Sequence, residues 1–396
     1  MRIAEIQKAL REHNLDGWLF YSFRGSDPLA PRILGLEKPG IATRRWFYFI
    51  PAEGEPTKIV HSIERDKLDE LPGKKIVYML WNVLHDAVRQ TIAGHKRIAM
   101  QYSPNNSIPY ISRVDAGTVE LVRSFGADVI SSGDLVAQFE SVWTPEQFEM
   151  NKYSTIRMRE ILAETFAEIA KRIREHGETD EFAIQQFMVG LYERDGLDCD
   201  NDPPIVAVNG NAANPHYQPN KDRFSPIKKG DFVLIDMWAK KKAPKSTYTD
   251  ITWTGYVGEE VPERYTKIFN VVRDGRDAAI NFVKNAISSG KTIYGWQVDD
   301  AARDSITAAG YGDKFIHRTG HSIGEEVHGN GAHMDNVETH DERRIIPNTS
   351  FSIEPGVYLE GDFGVRSEID MYVGENEAFV LGPPPQTAVV AILKEF

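Results

Sequence analysis

Cysteine is almost missing from this chain. Cys199 stands alone among 396 residues, so no internal disulfide is available and the fold must hold together by packing. That usage suits a reducing compartment, with the cytoplasm as the default expectation, and Cys199 itself reads as a packed thiol rather than a nucleophile. Long apolar runs are missing too: none approaches the ~20 residues that a membrane span needs. The opening "MRIAEIQKALREHNLDG" breaks its apolar residues into a helical pattern with Ile3, Ile6 and Leu10 inward, unlike the unbroken core of a secretion signal. Positive charge is the minority sign, 46 Lys and Arg against 58 Asp and Glu, for a net charge of −12. Phosphate binding depends on concentrated cations, so nucleic acid and anionic membranes are excluded as expected partners. The one local exception, "KKKAPK" at 240–245, reads as a solvated loop.

What is present is ordinary globular protein. Hydrophobic residues at 41% and charged residues at 26% argue against disorder and fibrous repeats. The length exceeds the usual size of a single core, which predicts two domains. Residues 1–140 alternate short β-rich runs ("GWLFYSF", "RRWFYFIP", "TKIVHSI", "KIVYML", "RIAM") with helical stretches, an α/β pattern. At 144–147 "TPEQ" supplies a Thr N-cap, Pro at the first helical position and Gln to close a capping box. A long helix to about Gly177 follows, so the boundary is expected near residue 140.

Beyond that boundary the chain repeats itself. Helices over about 145–176 and 180–195 precede "DFVLIDMW" and "TYTDITWTGYVG"; helices over about 262–288 and 296–309 precede "SFSIEPGVYL" and "GVRSEIDMYVG". Asp236 and Asp250 are 14 residues apart, as are Glu354 and Glu368, and one shift of 118 maps the first pair onto the second. The same shift maps Gly177 onto Gly295, read here as the stop of the first helix in each half. The duplication predicts two pseudo-twofold ααββ halves. A carboxylate inside "VLIDMW" loses its water and must find a cation or take up a proton. Period-two alternation puts Asp250, Thr252 and Thr254 on one face, and Arg366, Glu368 and Asp370 on another. Four carboxylates converging on one point stay ionised together only if about two divalent ions neutralise them.

The segment "HRTGHSIGEEVHG" at 317–329 adds three histidines. His317 and His321 have the spacing of a helical zinc pair, but Gly320, Gly324 and Thr319 disfavour a helix, and no HExxH is present. "GHSIG" fits the nucleophile-elbow pattern around Ser322, yet that elbow needs a helix directly after it, and "EEVHGNGAHMD" has no helical period. The remaining reading gives one imidazole to a mixed oxygen and nitrogen metal set and leaves the others to face a substrate. His333 and His340 read as structural.

Residues 141–396 resemble the pita-bread metallopeptidases, the group of methionine aminopeptidase, aminopeptidase P, prolidase and creatinase. The resemblance rests on five residues in order: Asp236 in "LIDMW", Asp250 in "TDITWTG", His321 in "GHSIG", Glu354 in "SIEPGVY" and Glu368 in "VRSEID". The proline-specific branch carries H-x-x-G-H-x-x-G-x-x-x-H, matched by His317, His321, Gly324 and His328, and its further histidine matches His216 in "NPHYQP". Residues 1–140 are similar, more weakly, to the creatinase-type N-terminal domain of that branch. The expected architecture is therefore α/β followed by α+β.

The resemblance implies an Xaa-Pro dipeptidase acting on small proline-containing peptides, a homodimer, and two divalent ions held by the five ligands. An oxygen-rich set with one imidazole suits Mn(II), with Co(II) or Zn(II) as alternatives. It further implies a metal-bridging hydroxide as nucleophile, Glu354 as general base, His328 as oxyanion donor, and His216 with His317 lining the proline pocket. Arg366 would order the ligands or meet the substrate carboxylate, and Tyr358 would close the pocket. Aminopeptidase P activity on longer peptides, creatinase-type C–N hydrolysis and a non-catalytic binding module are the alternatives. The Asp236–Asp250 interval is about three residues longer than is common in the group. Ile369, Glu325 and Gly329 also depart from its pattern, which bears on the groups behind the ligands.

Overall fold

The structure is a computed structural model that describes residues 2–36 and 42–396. It divides into two compact units, Met1–Glu140 and Ser141–Phe396.

The first unit is built on a six-stranded sheet. In spatial order the strands are Lys74–Tyr78, Thr57–His61, Trp46–Pro51, Gly17–Ser22, Arg97–Met100 and Asp128–Ser131. Trp46–Pro51 runs antiparallel to both neighbours, and the outer pairs are parallel. Every residue of Gly17–Ser22 and Trp46–Pro51 is buried, so these central strands read as continuous apolar runs covered on both faces. Trp18 and Phe20 pack into one core with Ile6 and Leu10 of the opening helix, while Leu19 and Tyr21 point into a second core with Leu84 and Val88. The run "KIVYML" leaves the sheet at Tyr78; Met79 and Leu80 are exposed.

The second unit has the expected duplicated form. Helices α1 (Pro145–His176) and α2 (Glu181–Arg194) are followed by strands β1 (Phe232–Lys241) and β2 (Tyr248–Tyr256). Helices α3 (Glu263–Ser288) and α4 (Gly295–Ala308) are followed by β3 (Thr349–Ile353), β4 (Gly356–Leu359), β5 (Phe363–Arg366) and β6 (Ile369–Val373). Helix α1 starts on the capping box: Thr144 Oγ1 accepts from the Gln147 amide at 3.2 Å, and Gln147 Oε1 accepts from the Thr144 amide at 2.9 Å. It ends at Gly177 with φ 81°, a conformation that only glycine adopts without strain.

Each half buries its helices on one face of its strands. Met158, Ile161, Phe166 and Ile169 of α1 pack with Val233, Ile235 and Met237 of β1. Ile268, Phe269 and Val272 of α3 pack with Phe351, Ile353, Met371 and Val373 of β3 and β6. Each such side chain contributes roughly 1.5–3 kcal/mol of burial. Because side chains alternate along a strand, the residues between them are forced to the opposite face. Asp236, flanked by the core residues Ile235 and Met237, lies on that face.

Two expectations need correction. Gly295 does not end a helix. The first helix of the second half stops at Ser288, and Gly295 opens the next one, where a Cβ would lie 1.9 Å from the His333 carbonyl oxygen. The second helices of the two halves are offset by 114 residues rather than 118, so the repeat that fits the strands slips there. The runs "SFSIEPGVYL" and "GVRSEIDMYVG" are not single strands either. Each breaks into two, β3 with β4 and β5 with β6, and the members belong to different sheets. Pro355 has no N–H with which to continue a ladder, and the breaks fall at Glu354 and at Ser367–Glu368. The two glutamates therefore sit where the chain changes sheets, their amides bonded to the Thr319 and Thr252 carbonyl oxygens rather than within the strand ladders on either side.

Among the described residues, no helix is long and apolar enough to cross a membrane.

Candidate metal centre

Four carboxylates and one imidazole converge on the face opposite the helices. Strands β1 and β2 pair antiparallel with Asp236 opposite Thr252 and Trp238 opposite Asp250, which places Asp236 and Asp250 diagonally on one surface. The second half brings Glu354 and Glu368 from its two strand breaks. His321 enters from the loop before the short strand Ser322–Ile323, where its amide donates to Ser352 Oγ at 3.0 Å. Ligand atoms of Asp250, His321 and Glu368 lie within 4.8 Å of one another. His321 Nε2 is 3.3 Å from Glu354 Oε1 and 3.6 Å from Asp250 Oδ2.

Asp236 joins this group through two shared partners. The Thr252 hydroxyl lies 2.9 Å from Asp236 Oδ1 and 2.7 Å from Glu368 Oε2. Arg366 donates through Nη2 to Asp236, through Nε to Thr252 Oγ1 at 3.2 Å and through Nη1 to the Tyr358 hydroxyl at 3.1 Å. All three guanidinium nitrogens are thus engaged inside the chain, by Asp236, Thr252 and Tyr358.

The donor set fits divalent cations. Asp250 Oδ1 and Glu368 Oε1 are buried and have no hydrogen-bond partner, a costly arrangement for oxygens that nothing else neutralises. A single hydroxyl proton on Thr252 cannot satisfy Asp236 and Glu368 together. Burial and mutual repulsion push Asp250 and Glu368 well above the usual carboxylate range, and burial raises Glu354 to about 7 against the opposing pull of Arg366. Without cations the centre holds protons; with them it ionises. The imidazole is set for the same purpose. His321 Nδ1 faces the Ser322 carbonyl at 3.3 Å, which can only accept, so the proton sits on Nδ1 and the Nε2 lone pair points at the carboxylates. Desolvation first, then the nearby Arg318 charge, keeps that ring neutral.

The other histidines divide. His328 packs its ring against His321, centroids 4.3 Å apart, and its pKa falls to about 4 through desolvation and the Arg318 charge. His317 has Nδ1 at 2.7 Å from the Arg318 carbonyl and Nε2 at 2.7 Å from the Tyr358 hydroxyl. The first contact requires a proton on Nδ1, so Nε2 accepts from Tyr358. Burial, then the Arg366 charge, lowers this ring to about 3, and burial raises Tyr358 to about 12. His216 is not brought into this hydrogen-bonded group: it stands exposed on a loop, where its own amide donates to Asn214 Oδ1 at 3.1 Å. His333 is a buried brace whose Nδ1 accepts from the Ser322 amide at 3.0 Å, and His340 is bound at the surface to Asn336.

Sequence reasoning missed three contributors. Ser352 touches both the His321 amide and Glu354 Oε1, the latter at 3.1 Å, and its i, i+2 spacing from Glu354 was the available signal. Asp299 on α4 accepts from the Thr319 amide at 2.8 Å and hydroxyl at 2.6 Å, holding the residue between the histidines. Arg303, one turn later, donates to the carbonyls of Phe315 and His317 at 2.9 and 2.8 Å. Nothing in the sequence marked these last two, because their partners lie across the fold.

A duplicated scaffold that aims carboxylates from both halves, with one neutral imidazole, at a shared point defines a protein built around bound cations. The sequence pattern of metallopeptidase family M24 matches residues 156–375. The chain belongs to metallopeptidase family M24. It is similar to a putative Xaa-Pro aminopeptidase of Mycoplasma pneumoniae, 31% identical over 62% of this chain and 66% of the relative. It is also similar to the Xaa-Pro dipeptidase of Lactobacillus delbrueckii, 32% identical over 49% of this chain and 48% of the relative. The matched stretches thus span only half to two thirds of these relatives' lengths. Among solved structures, the dipeptidase PepE of Mycobacterium ulcerans shares the fold with a TM-score of 0.68, covering 98% of this chain and 97% of that one at 21% identity.

Proposed function

We propose that this chain hydrolyses the Xaa-Pro bond of small peptides, Xaa-Pro dipeptides above all, at a centre of two divalent metal ions held by Asp236, Asp250, His321, Glu354 and Glu368. The observation that supports this reading best is the pair of buried, unpartnered oxygens Asp250 Oδ1 and Glu368 Oε1 beside the free Nε2 of His321. The second unit would be the catalytic domain. Mn(II) is the favoured ion on donor chemistry. When bound, such ions polarise a carbonyl and make a water acidic near neutral pH.

The chain's own groups have separate tasks. Glu354, buried and raised to about 7, is placed to take the proton of the attacking water and pass it to the leaving proline nitrogen. The leaving proline nitrogen, like any amide nitrogen, must gain a proton to depart as an amine. His328, neutral at working pH, donates a hydrogen bond to the developing oxyanion. His317 is locked by Tyr358 and presents its ring to the proline, with His216 on the open side of the pocket.

The test is hydrolysis of a dipeptide panel after chelation and re-addition of Mn(II), Co(II) or Zn(II), with products of Gly-Pro and Arg-Pro-Pro separated by HPLC. Cleavage of Gly-Pro that returns only with metal is the expected result. Cleavage of the tripeptide alone would make the chain an aminopeptidase P, and no cleavage of either would remove the peptidase reading.

A further inference from the structure

The two half-sheets meet at a seam between β2 and β6, which belong to different sheets. One backbone hydrogen bond crosses it, from the Glu368 amide to the Thr252 carbonyl at 3.2 Å. In a regular antiparallel ladder the next bond, two residues along each strand, would run from the Asp250 amide to the Asp370 carbonyl. That carbonyl is already taken: it accepts from the Leu381 amide at 2.9 Å. The Asp250 amide donates instead to the side chain, Asp370 Oδ2, also at 2.9 Å. Asp370 is fully buried, and its Oδ1 has no partner.

This substitution of side chain for backbone falls between two members of the candidate centre, Asp250 on β2 and Glu368 at the start of β6. Asp250 Oδ1 and Glu368 Oε1 are buried without hydrogen-bond partners, so these oxygens do not hold each other in place. Across the seam Glu368 is held to Thr252 through backbone and hydroxyl, and Asp250 is held by the Asp370 bridge.

We propose that Asp370 is a positioning residue, which ties Asp250 to the opposite half-sheet and so holds Asp250 and Glu368 at the spacing a metal ion requires. Only an acceptor is needed for this task; charge is not. The inference rests on the reading of Asp250, His321 and Glu368 as metal ligands.

The test is titration calorimetry of Mn(II) into the chelator-stripped full chain, in wild type, Asp370→Asn, Asp370→Ala and Asp370→Val. Asparagine keeps an amide oxygen for the Asp250 amide and should bind Mn(II) within about threefold of wild type, whereas Ala and Val should bind ~10–100-fold more weakly. Hydrogen exchange at the Asp250 amide should accelerate in Ala and Val but not in Asn, and this can be read even from variants of low stability. A purely structural role would lower Tm without separating Asn from Val in metal affinity, and that outcome overturns the proposal. Equal affinity in all four proteins overturns it while leaving the metal reading intact; a wild type that takes up no Mn(II) overturns both.

Discussion

The guanidinium of Arg366 rests on the carboxylate of Asp236, a residue 130 positions earlier and in the other half of the duplication. Both groups are buried, and the cation is surrounded by more negative side chains than it can pair: Glu354 Oε2 lies 3.9 Å away, and Glu368 adds to the field that holds the proton on the arginine. One fixed positive charge therefore offsets part of the repulsion among four acids. The remainder falls to protons or to bound cations.

Arg366→Met should consequently destabilise the metal-free fold by about 3–5 kcal/mol, the range for removing one partner of a buried pair. Urea denaturation under chelation measures it. A loss below 1 kcal/mol would contradict a strong buried pairing of Arg366 with Asp236.

Glu354 gives a pH signature. Its folded pKa of about 7 lies above its ordinary 4.5. Between those values the unfolded chain releases this proton and the folded chain keeps it, so the contribution of Glu354 to stability falls as pH rises. The buried histidines slope the opposite way below pH 6.5, so the comparison must be with a variant. Without metal, Glu354→Gln should gain Tm relative to wild type steadily from pH 5 to pH 7.5. A difference that stays flat across that range would contradict the raised pKa. With Mn(II) the order should reverse, and Glu354→Gln should lose about 10²–10⁴ in kcat at retained fold.

Thr252→Val preserves shape but removes the hydroxyl shared by Asp236 and Glu368. Mn(II) affinity is expected to fall ~10–100-fold while circular dichroism is unchanged. Unaltered affinity would show that Arg366 alone orders those two carboxylates.

Gly320→Ala places a Cβ 1.9 Å from the Ser352 carbonyl oxygen, a backbone atom that cannot swing aside. Residue 320 precedes His321, and Ser352 also holds the His321 amide, so strain moves directly into the ligand. A stability loss of about 1–3 kcal/mol is expected, with weaker metal uptake. A variant with wild-type Tm and metal affinity would mean that the two strands separate freely there.

Much of the centre was legible because carboxylates embedded in apolar strand runs have few explanations. Asp236 within "VLIDMW" and the 14-residue spacing shared by both halves point to one site from the sequence alone. The helices of the second unit were readable to within a residue or two, since "TPEQ" and Gly177 act through bonds to near neighbours. The slip at Gly295 shows where that reasoning ends. A glycine needed to close a helix and a glycine needed because another segment's carbonyl crowds it look alike in sequence.

The sequence by itself determined the fold class, the duplication and the face on which Asp236 and Asp250 lie, because propensity, capping and period-two alternation are local. The alternation expected for Arg366, Glu368 and Asp370 fails where the strand breaks at Ser367–Glu368. Only tertiary structure decided which atoms meet. It gave His321 its free Nε2 through the Ser322 carbonyl, and it put Asp299 and Arg303 behind the histidine loop. It left His216 exposed and handed Asp370 the hydrogen bond that its own backbone could not accept. These outcomes turn on ångström-scale contacts between particular atoms, some in neighbouring residues and one, Asp250 to Asp370, between residues 120 apart, and pattern along the chain carries no measure of such distances.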